Sequence, residues 1–402
     1  MLGLLLAAWL VAASGASAYA SSDLAPLKVV QNQLQDSAGN QVHLTGIDRS
    51  GTEYACIQGW GIFSGPSDND SVTAMASWHI NAVRIPLNED CWLGINMGTS
   101  VYGGAAYRTA ITNYVNLLHV HGIYAILALV WSAPGVLRAT AQGAAADADH
   151  SPAFWTSVAT TFLNYPAVLF DLFGEPVLPN WNTWLTGGAI AAGAAQNPYG
   201  SFLSVGMQSL VSAVRATGAI QPVMVGGLHY SNDMSGWLAN LPSDPLNQVI
   251  ASVHLYNFTY PCNTSACYDS GTYSLAAIAA AHPVVFGEIG ENDCAHGFID
   301  QVMPWADSHG YSYLGWAWTV ADCAGFPSLI SNYNGTPTNF GVGFRDHLAS
   351  GQPFANLPHM AWSPSRPLVE IPKLVLGSAA ILALMALAGA GWFAYRRRGI
   401  TA

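Results

Sequence analysis

Eight short runs of apolar and β-branched residues recur along the chain at intervals of roughly thirty to fifty residues, and this recurrence constrains the fold more than any other feature. They are Val42 to Asp48, Ile80 to Pro86, Ile123 to Val130, Val168 to Gly174, Pro222 to Gly227, Val249 to Tyr256, Pro283 to Ile289 and Tyr311 to Trp318. Several are continuously apolar, the pattern of strands covered on both faces in a parallel sheet. The stretches between them suit helices, as in Ala105 to His121, Ala153 to Asn164, Phe202 to Thr217, Tyr273 to Ala281 and Phe298 to His309. Eight strand-helix units predict an α/β fold, a closed (β/α)8 TIM barrel. An open doubly wound sheet would have fewer strands and a glycine-rich nucleotide turn, but Gly59-Trp60-Gly61 continues to Ser64 where a third glycine is needed.

Both ends carry membrane-related signals. Leu2 to Ala13 is almost wholly apolar and Ala18-Tyr19-Ala20 has the small-x-small pattern of a cleavage site, so residues 1–20 are expected to be a signal peptide. Leu374 to Tyr395 is an uncharged run that would span about 33 Å as a helix, and Arg396 to Arg398 stop it. The expected order is a barrel domain over 21–356, a tether over 357–373 stiffened by Pro358, Pro364, Pro367 and Pro372, a transmembrane helix over 374–395 and a cytoplasmic tail over 396–402. That order places the barrel on the extracellular face of the cell membrane. All six cysteines fall in this exterior segment, where disulfides persist. Of the possible pairings, short loop closure favours Cys262 with Cys267 and leaves Cys56 with Cys91 and Cys294 with Cys323 as the simplest completion.

Only 9% of residues are charged, which excludes disorder driven by self-repulsion, and the net charge of −11 argues against a nucleic-acid partner. Fourteen Trp and seventeen Tyr are available for packing and for stacking on the apolar faces of sugars.

In a barrel of this kind the chemistry sits at the C-terminal ends of the strands. That rule selects Arg84, Glu175, His254, Tyr256, Glu288, Trp316 and Trp318. Two of them are carboxylates on strands that face each other. Such a pair can cleave a glycosidic bond, one acid protonating the leaving oxygen while the other carboxylate attacks the anomeric carbon. Glu175 is then the acid/base and Glu288 the nucleophile, with Arg84 and Tyr256 holding Glu288 ionised and Trp318, last in its run, the sugar platform. His119 and His121 form an HxH, but they precede strand three and belong to the opposite end, so no metal is expected there. Asp147-Ala148-Asp149-His150 lacks the glycine and distal glutamate of an EF-hand and reads as a solvated loop.

These residues lie in a series of motifs: Gly51-Thr52-Glu53-Tyr54-Ala55-Cys56, Asn81-Ala82-Val83-Arg84-Ile85-Pro86-Leu87-Asn88-Glu89-Asp90-Cys91-Trp92, Trp131-Ser132-Ala133-Pro134-Gly135, Asp171-Leu172-Phe173-Gly174-Glu175-Pro176, His254-Leu255-Tyr256, Gly287-Glu288 and Gly315-Trp316-Ala317-Trp318. In this order they resemble glycoside hydrolase family 5, the cellulase-like family of the two-glutamate barrel clan. The resemblance covers most of Val42 to Trp318. It implies Arg84 near the nucleophile, Glu175 as acid/base, His254 and Tyr256 around the cleavage subsite, Glu288 as nucleophile and Trp318 as platform. Two positions depart from the family: Gly174 stands where an asparagine usually precedes the acid/base, and Ala128, Leu129 and Val130 stand where Asp-Leu-His commonly ends strand three. The expectation is a monomeric retaining glycosidase acting on extracellular β-linked polysaccharide, β-1,4-glucan-like in linkage, without metal or organic cofactor. The departures keep open a surface pseudoenzyme that binds oligosaccharide without cleaving it. A metal-dependent barrel hydrolase is the third reading.

Overall fold

The computed structural model describes residues 24–351. The expected signal peptide, the tether, the candidate span 374–395 and the tail lie outside the described residues. Among the described residues, no helix is long and apolar enough to cross a membrane.

Each of the eight apolar runs contributes one strand to a closed parallel barrel: β1 Thr45–Asp48, β2 Ala82–Asn88, β3 Tyr124–Trp131, β4 Val168–Asp171, β5 Val223–Gly226, β6 Val249–Tyr256, β7 Val284–Gly290 and β8 Ser312–Gly315. Every strand pairs with the next in sequence, and β8 closes on β1. The two-residue period of a strand sorts the side chains into two shells. Ala82, Ile126, Leu169, Met224, Ile250, Val285 and Leu314 fill the barrel interior, while Val83, Leu127, Phe170, Val225, Val253 and Phe286 face outward into the helical shell. A hairpin of Lys28–Val30 and Gln33–Gln35 brings Leu24, Leu27, Val29 and Leu34 into the interior cluster and seals its N-terminal end. The interior is thus apolar and plugged below, and its next inward positions open toward the C-terminal mouth.

The shell contains α1 Asn69–Ala76, α2 Ala105–Val120, α3 Ser151–Thr161, α4 Met207–Ala216, α5 Ile299–His309 and α6 Asn339–Ala349. Asp68 caps α1 by accepting from the Ser71 amide at 3.0 Å. The single helix expected over Phe202 to Thr217 divides at Gly206: Phe202–Val205 pairs with Gly187–Ile190 as a small antiparallel sheet, and α4 starts at Met207. A side chain at 206 would run into the Leu185 carbonyl, so glycine is what lets the two segments meet. Only Ala276–Ala279 is α-helical within the stretch expected over Tyr273 to Ala281. Asp147 is fully buried rather than solvated; its Oδ1 accepts from the Asp149 and His150 amides at the entry to α3. His119 is also buried, and burial pushes its imidazole down to about 4. The three disulfides are Cys56–Cys91, Cys262–Cys267 and Cys294–Cys323, the pairing expected from loop closure.

Gly46 marks where the barrel is tightest. A Cβ there would lie 2.0 Å from the Ala82 carbonyl oxygen and 2.8 Å from Leu314 Cδ2, so β1 and β2 pair only because the position is bare. Gly46→Ala is expected to destabilise the barrel by about 3 kcal/mol or more, read from the urea midpoint. An unchanged midpoint would show that β1 has room to move.

Candidate active site

Arg84 lies two residues beyond Ala82 on β2, so strand alternation points it into the barrel one layer above the apolar plug. It is fully buried, and a buried guanidinium persists only with its charge answered. Its Nε donates to Asp171 Oδ2 at 2.8 Å, and its Nη1 donates to Asp48 Oδ1 at 2.8 Å and to Glu288 Oε1 at 2.9 Å. Sequence reasoning misses Asp48 and Asp171, although each closes a strand. A signal for them exists: Asp48 is two residues past Gly46 and Asp171 two past Leu169, both on the inward register. Burial pushes the Asp48 carboxyl well above the usual carboxylate range, with Arg84 opposing the shift and Glu288 adding to it.

Glu288 reaches the interior through a bulge. Val285 is inward, so plain alternation would turn residue 288 outward. Instead Phe286 pairs with Val253 and Glu288 with His254, leaving Gly287 as the extra residue. A bulge of one residue reverses the facing of the later residues in its strand. The position is crowded, since a Cβ at 287 would lie 2.7 Å from Ser252 Oγ and 3.2 Å from His254 Nε2. Tyr256 then donates its hydroxyl to Glu288 Oε2 at 2.5 Å.

Glu175 comes after the end of β4 in a left-handed backbone conformation, φ 67°, which is strained for a residue with a Cβ. The strain is held from both sides: the Gly174 amide donates to the Leu129 carbonyl at 2.8 Å, and the Pro176 carbonyl accepts from the Tyr230 amide at 3.1 Å. His254 Nδ1 lies 3.2 Å from Glu175 Oε1 and 3.4 Å from Glu288 Oε2. Glu175, His254 and Glu288 therefore present donor or acceptor atoms all within 4.8 Å of one another, and all three residues are buried. Gln142 and Gln196, which sequence reasoning also misses, complete the surround: Gln142 Nε2 donates to Glu175 Oε2 at 3.0 Å and Gln196 Nε2 donates to Gln142 Oε1 at 3.1 Å.

The five residues Arg84, Glu175, His254, Tyr256 and Glu288 thus meet at one mouth. Trp318 does not join them. It is fully buried and packs edge-on against Trp78 at 4.8 Å between ring centroids, in the outer core. Trp316 keeps the inward register of Leu314 and clusters with Tyr256, Phe258 and Phe326, so it is the tryptophan at the site. The peptide between Trp316 and Ala317 is cis. The absence of a side chain at 174 also has a cause here: a Cβ would lie 2.7 Å from Arg84 Nη2 and 3.3 Å from Val130 Cγ2. Arg84 and Val130 occupy the space, and Arg84 Nη2 is buried without a hydrogen-bond partner.

Among the described residues, Glu175, His254 and Glu288 are the group whose ligand atoms lie close enough to share a metal ion. Arg84 and Tyr256 already occupy the two oxygens of Glu288, and the guanidinium sets a fixed positive charge beside the place a cation would take. The arrangement suits acid/base and nucleophilic work by carboxylates.

Comparison with known proteins agrees with this geometry. The model of the family described as cellulase, glycosyl hydrolase family 5, matches residues 35–322. A mannan endo-1,4-beta-mannosidase of Streptomyces lividans is 27% identical over 122 residues, a match spanning 28% of this chain and only 30% of that protein. Among solved structures, a beta-glucanase from Saccharophagus degradans in complex with cellotetraose superposes with a TM-score of 0.60 at 17% identity, over 81% of this chain and 94% of that one. A beta-mannanase from Streptomyces thermolilacinus with mannohexaose gives a TM-score of 0.58 at 17% identity, over 81% and 96%. The chain belongs to glycosyl hydrolase family 5 and is a glycoside hydrolase.

Burial is the largest influence on Glu288 and pushes its carboxyl up; Glu175 pushes the same way, while His254, Arg84 and Tyr256 oppose. A carboxylate that acts when ionised loses activity as pH falls through its pKa, so the acid limb of kcat/KM is expected above the ordinary carboxyl value of 4.5. Arg84→Met removes a cation that favours the ionised form and is expected to move that limb further up, besides costing about 3–5 kcal/mol of stability. A limb that stays in place in a folded Arg84→Met protein would separate Arg84 from the ionisation of Glu288.

Proposed function

We propose that the barrel hydrolyses β-linked polysaccharide with retention of anomeric configuration, Glu288 being the nucleophile and Glu175 the acid/base. The observation that carries this reading is the separation of the two carboxylates. Their nearest oxygens lie within 4.8 Å. Retaining enzymes hold the pair about 5–5.5 Å apart, whereas inverting enzymes open it to about 6.5–9.5 Å to admit a water.

In the first step Glu288 attacks the anomeric carbon as Glu175 gives its proton to the departing oxygen. In the second, Glu175 takes a proton from water, the water oxygen bonds to the anomeric carbon, and the bond to Glu288 breaks. Arg84 and Tyr256 hold Glu288 as an anion facing the sugar, and Trp316 replaces Trp318 as the surface on which the sugar rests.

The substrate class we assign is a β-1,4-linked glucan or the closely similar mannan, supported by family membership and by relatives that are a beta-glucanase and mannanases. Within that class we favour the glucan-like chain. We place the reaction outside the cell, on the cell surface, a placement supported by the three disulfides and by the apolar segments at the two ends of the sequence. The alternative of a binding-only protein draws on Gly174 and Val130, but the complete set of contacts around both glutamates favours turnover.

The test is hydrolysis of a panel of β-glucans and mannans by the full-length protein, by Glu288→Gln and by Glu175→Gln. Turnover of at least one β-1,4-glucan is expected, with Glu288→Gln at background and Glu175→Gln reduced by about 100- to 10,000-fold. Binding without product from any polysaccharide would establish the pseudoenzyme. Equal activity of Glu288→Gln and the unaltered protein would remove Glu288 from the mechanism.

A further inference from the structure

Two glutamines from separate loops converge on Glu175. Gln142 lies in the loop after β3, and Gln196 in the connection between the strands Gly187–Ile190 and Phe202–Val205. Both are buried. Gln142 Nε2 is 3.0 Å from Glu175 Oε2 and 3.3 Å from the Gly174 carbonyl oxygen, and Gln142 Oε1 accepts from Gln196 Nε2 at 3.1 Å. The two ends of an amide have nearly the same shape, so its orientation must come from its partners. A backbone carbonyl only accepts, and the Gly174 carbonyl therefore turns the nitrogen of Gln142 toward Glu175.

The loops are tied to each other as well. Tyr199 donates its hydroxyl to the Ala141 carbonyl at 2.6 Å and accepts from the Ala141 amide at 3.1 Å, while the Val177 amide donates to the Ala144 carbonyl at 2.8 Å. These bonds bracket Gln142 on both sides, one to the Gln196 loop and one to the segment just past Glu175. Gln196 itself is buried, in a left-handed conformation of φ 57°.

We infer that Gln142, oriented by Gln196, is the positioning residue of Glu175, and that it decides which oxygen of Glu175 carries the transferable proton. The inference rests on the reading of Glu175 as acid/base. An amide N–H can only donate, so it keeps Oε2 as an acceptor. The proton is thereby assigned to Oε1, 3.2 Å from His254 Nδ1, the tautomer with the imidazole proton on Nε2 leaving Nδ1 as the acceptor that faces it. When Glu175 protonates the leaving oxygen, that proton departs from Oε1 as the glycosidic bond breaks and the bond to Glu288 forms. The carboxylate left behind is stabilised by the same amide, and Oε1 takes a proton from water in the second step. With His254 of β6 at Oε1, the support of Oε2 comes from the loops.

Gln142→Leu removes the donor at similar volume. A lost donor to the ionised form raises the pKa of a carboxyl, so the basic limb of kcat/KM moves to higher pH. A misdirected proton matters most when the leaving group needs one. Gln142→Leu and Gln196→Leu, compared with Glu175→Ala and the unaltered protein on aryl β-cellobiosides and β-mannobiosides, provide the test. Expected is a loss of roughly tenfold on 4-methylumbelliferyl substrates, part of the about 100- to 10,000-fold general-acid contribution, with little loss on 2,4-dinitrophenyl substrates. The basic limb should rise in both glutamine variants, less in Gln196→Leu. Equal losses on both leaving groups, or an unmoved limb, would overturn the inference. Should Gln142→Leu fail to fold, Gln196→Leu decides by the same two readouts. Glu175→Ala keeps the two readings apart: if it shows no dependence on leaving group, the assignment of Glu175 fails, whereas dependence there without any in the glutamine variants defeats only the relay.

Discussion

The site depends on one buried cation. Arg84 answers three carboxylates from three other strands, Asp48, Asp171 and Glu288, and no solvent screens the contacts. In such surroundings an ion pair is strong only when its geometry is complete, and breaking it leaves charge stranded. The guanidinium therefore does more than neutralise. It ties β1, β2, β4 and β7 to a common centre, which fixes where Glu288 stands. Burial pushes the Asp48 carboxyl upward, and the Arg84 guanidinium opposes that shift.

Around that centre, each acid is brought in by a local irregularity rather than by regular strand geometry. Glu288 enters through the extra residue at Gly287 and Glu175 through a left-handed turn after β4. Both devices depend on neighbours that hold them: Ser252 crowds position 287, and the Leu129 and Tyr230 backbone bonds grip the turn at 174–176. A barrel made only of ideal strands would present neither acid to the mouth. At Gly174, in turn, a side chain would require the Arg84 guanidinium or Val130 to shift.

Much of this is legible in the sequence because burial on both faces writes a strand as an apolar run. The eight runs, and the polar residues closing them, locate the barrel together with Arg84, Glu175, His254, Tyr256 and Glu288. Strand ends are less legible, and two errors arise from that. Extending the last run to Trp318 makes it the terminal residue, yet the strand stops at Gly315, and beyond it Trp318 turns into the outer core while Trp316 stays at the mouth. Asp48 escapes notice although it closes its run, and Asp171 because the fourth run is read on to Gly174 whereas the strand stops at Asp171. Gln142 and Gln196 lie in loops without periodicity, and only the folded chain brings residues 54 positions apart into contact. The Phe202 to Thr217 stretch reads as one helix because the alternation of Phe202 and Ser204 is too short to outweigh the helical pattern after it.

The central claim is that Glu288 bonds covalently to the sugar before water does. The most direct measurement is the anomeric configuration of the first-formed product, tracked by proton NMR from the earliest seconds of polysaccharide hydrolysis, before mutarotation. The account predicts the β-anomer first, with the α-anomer rising only at the rate of mutarotation. An α-anomer formed first would mean single displacement by water, and the assignment of Glu288 as nucleophile would be contradicted.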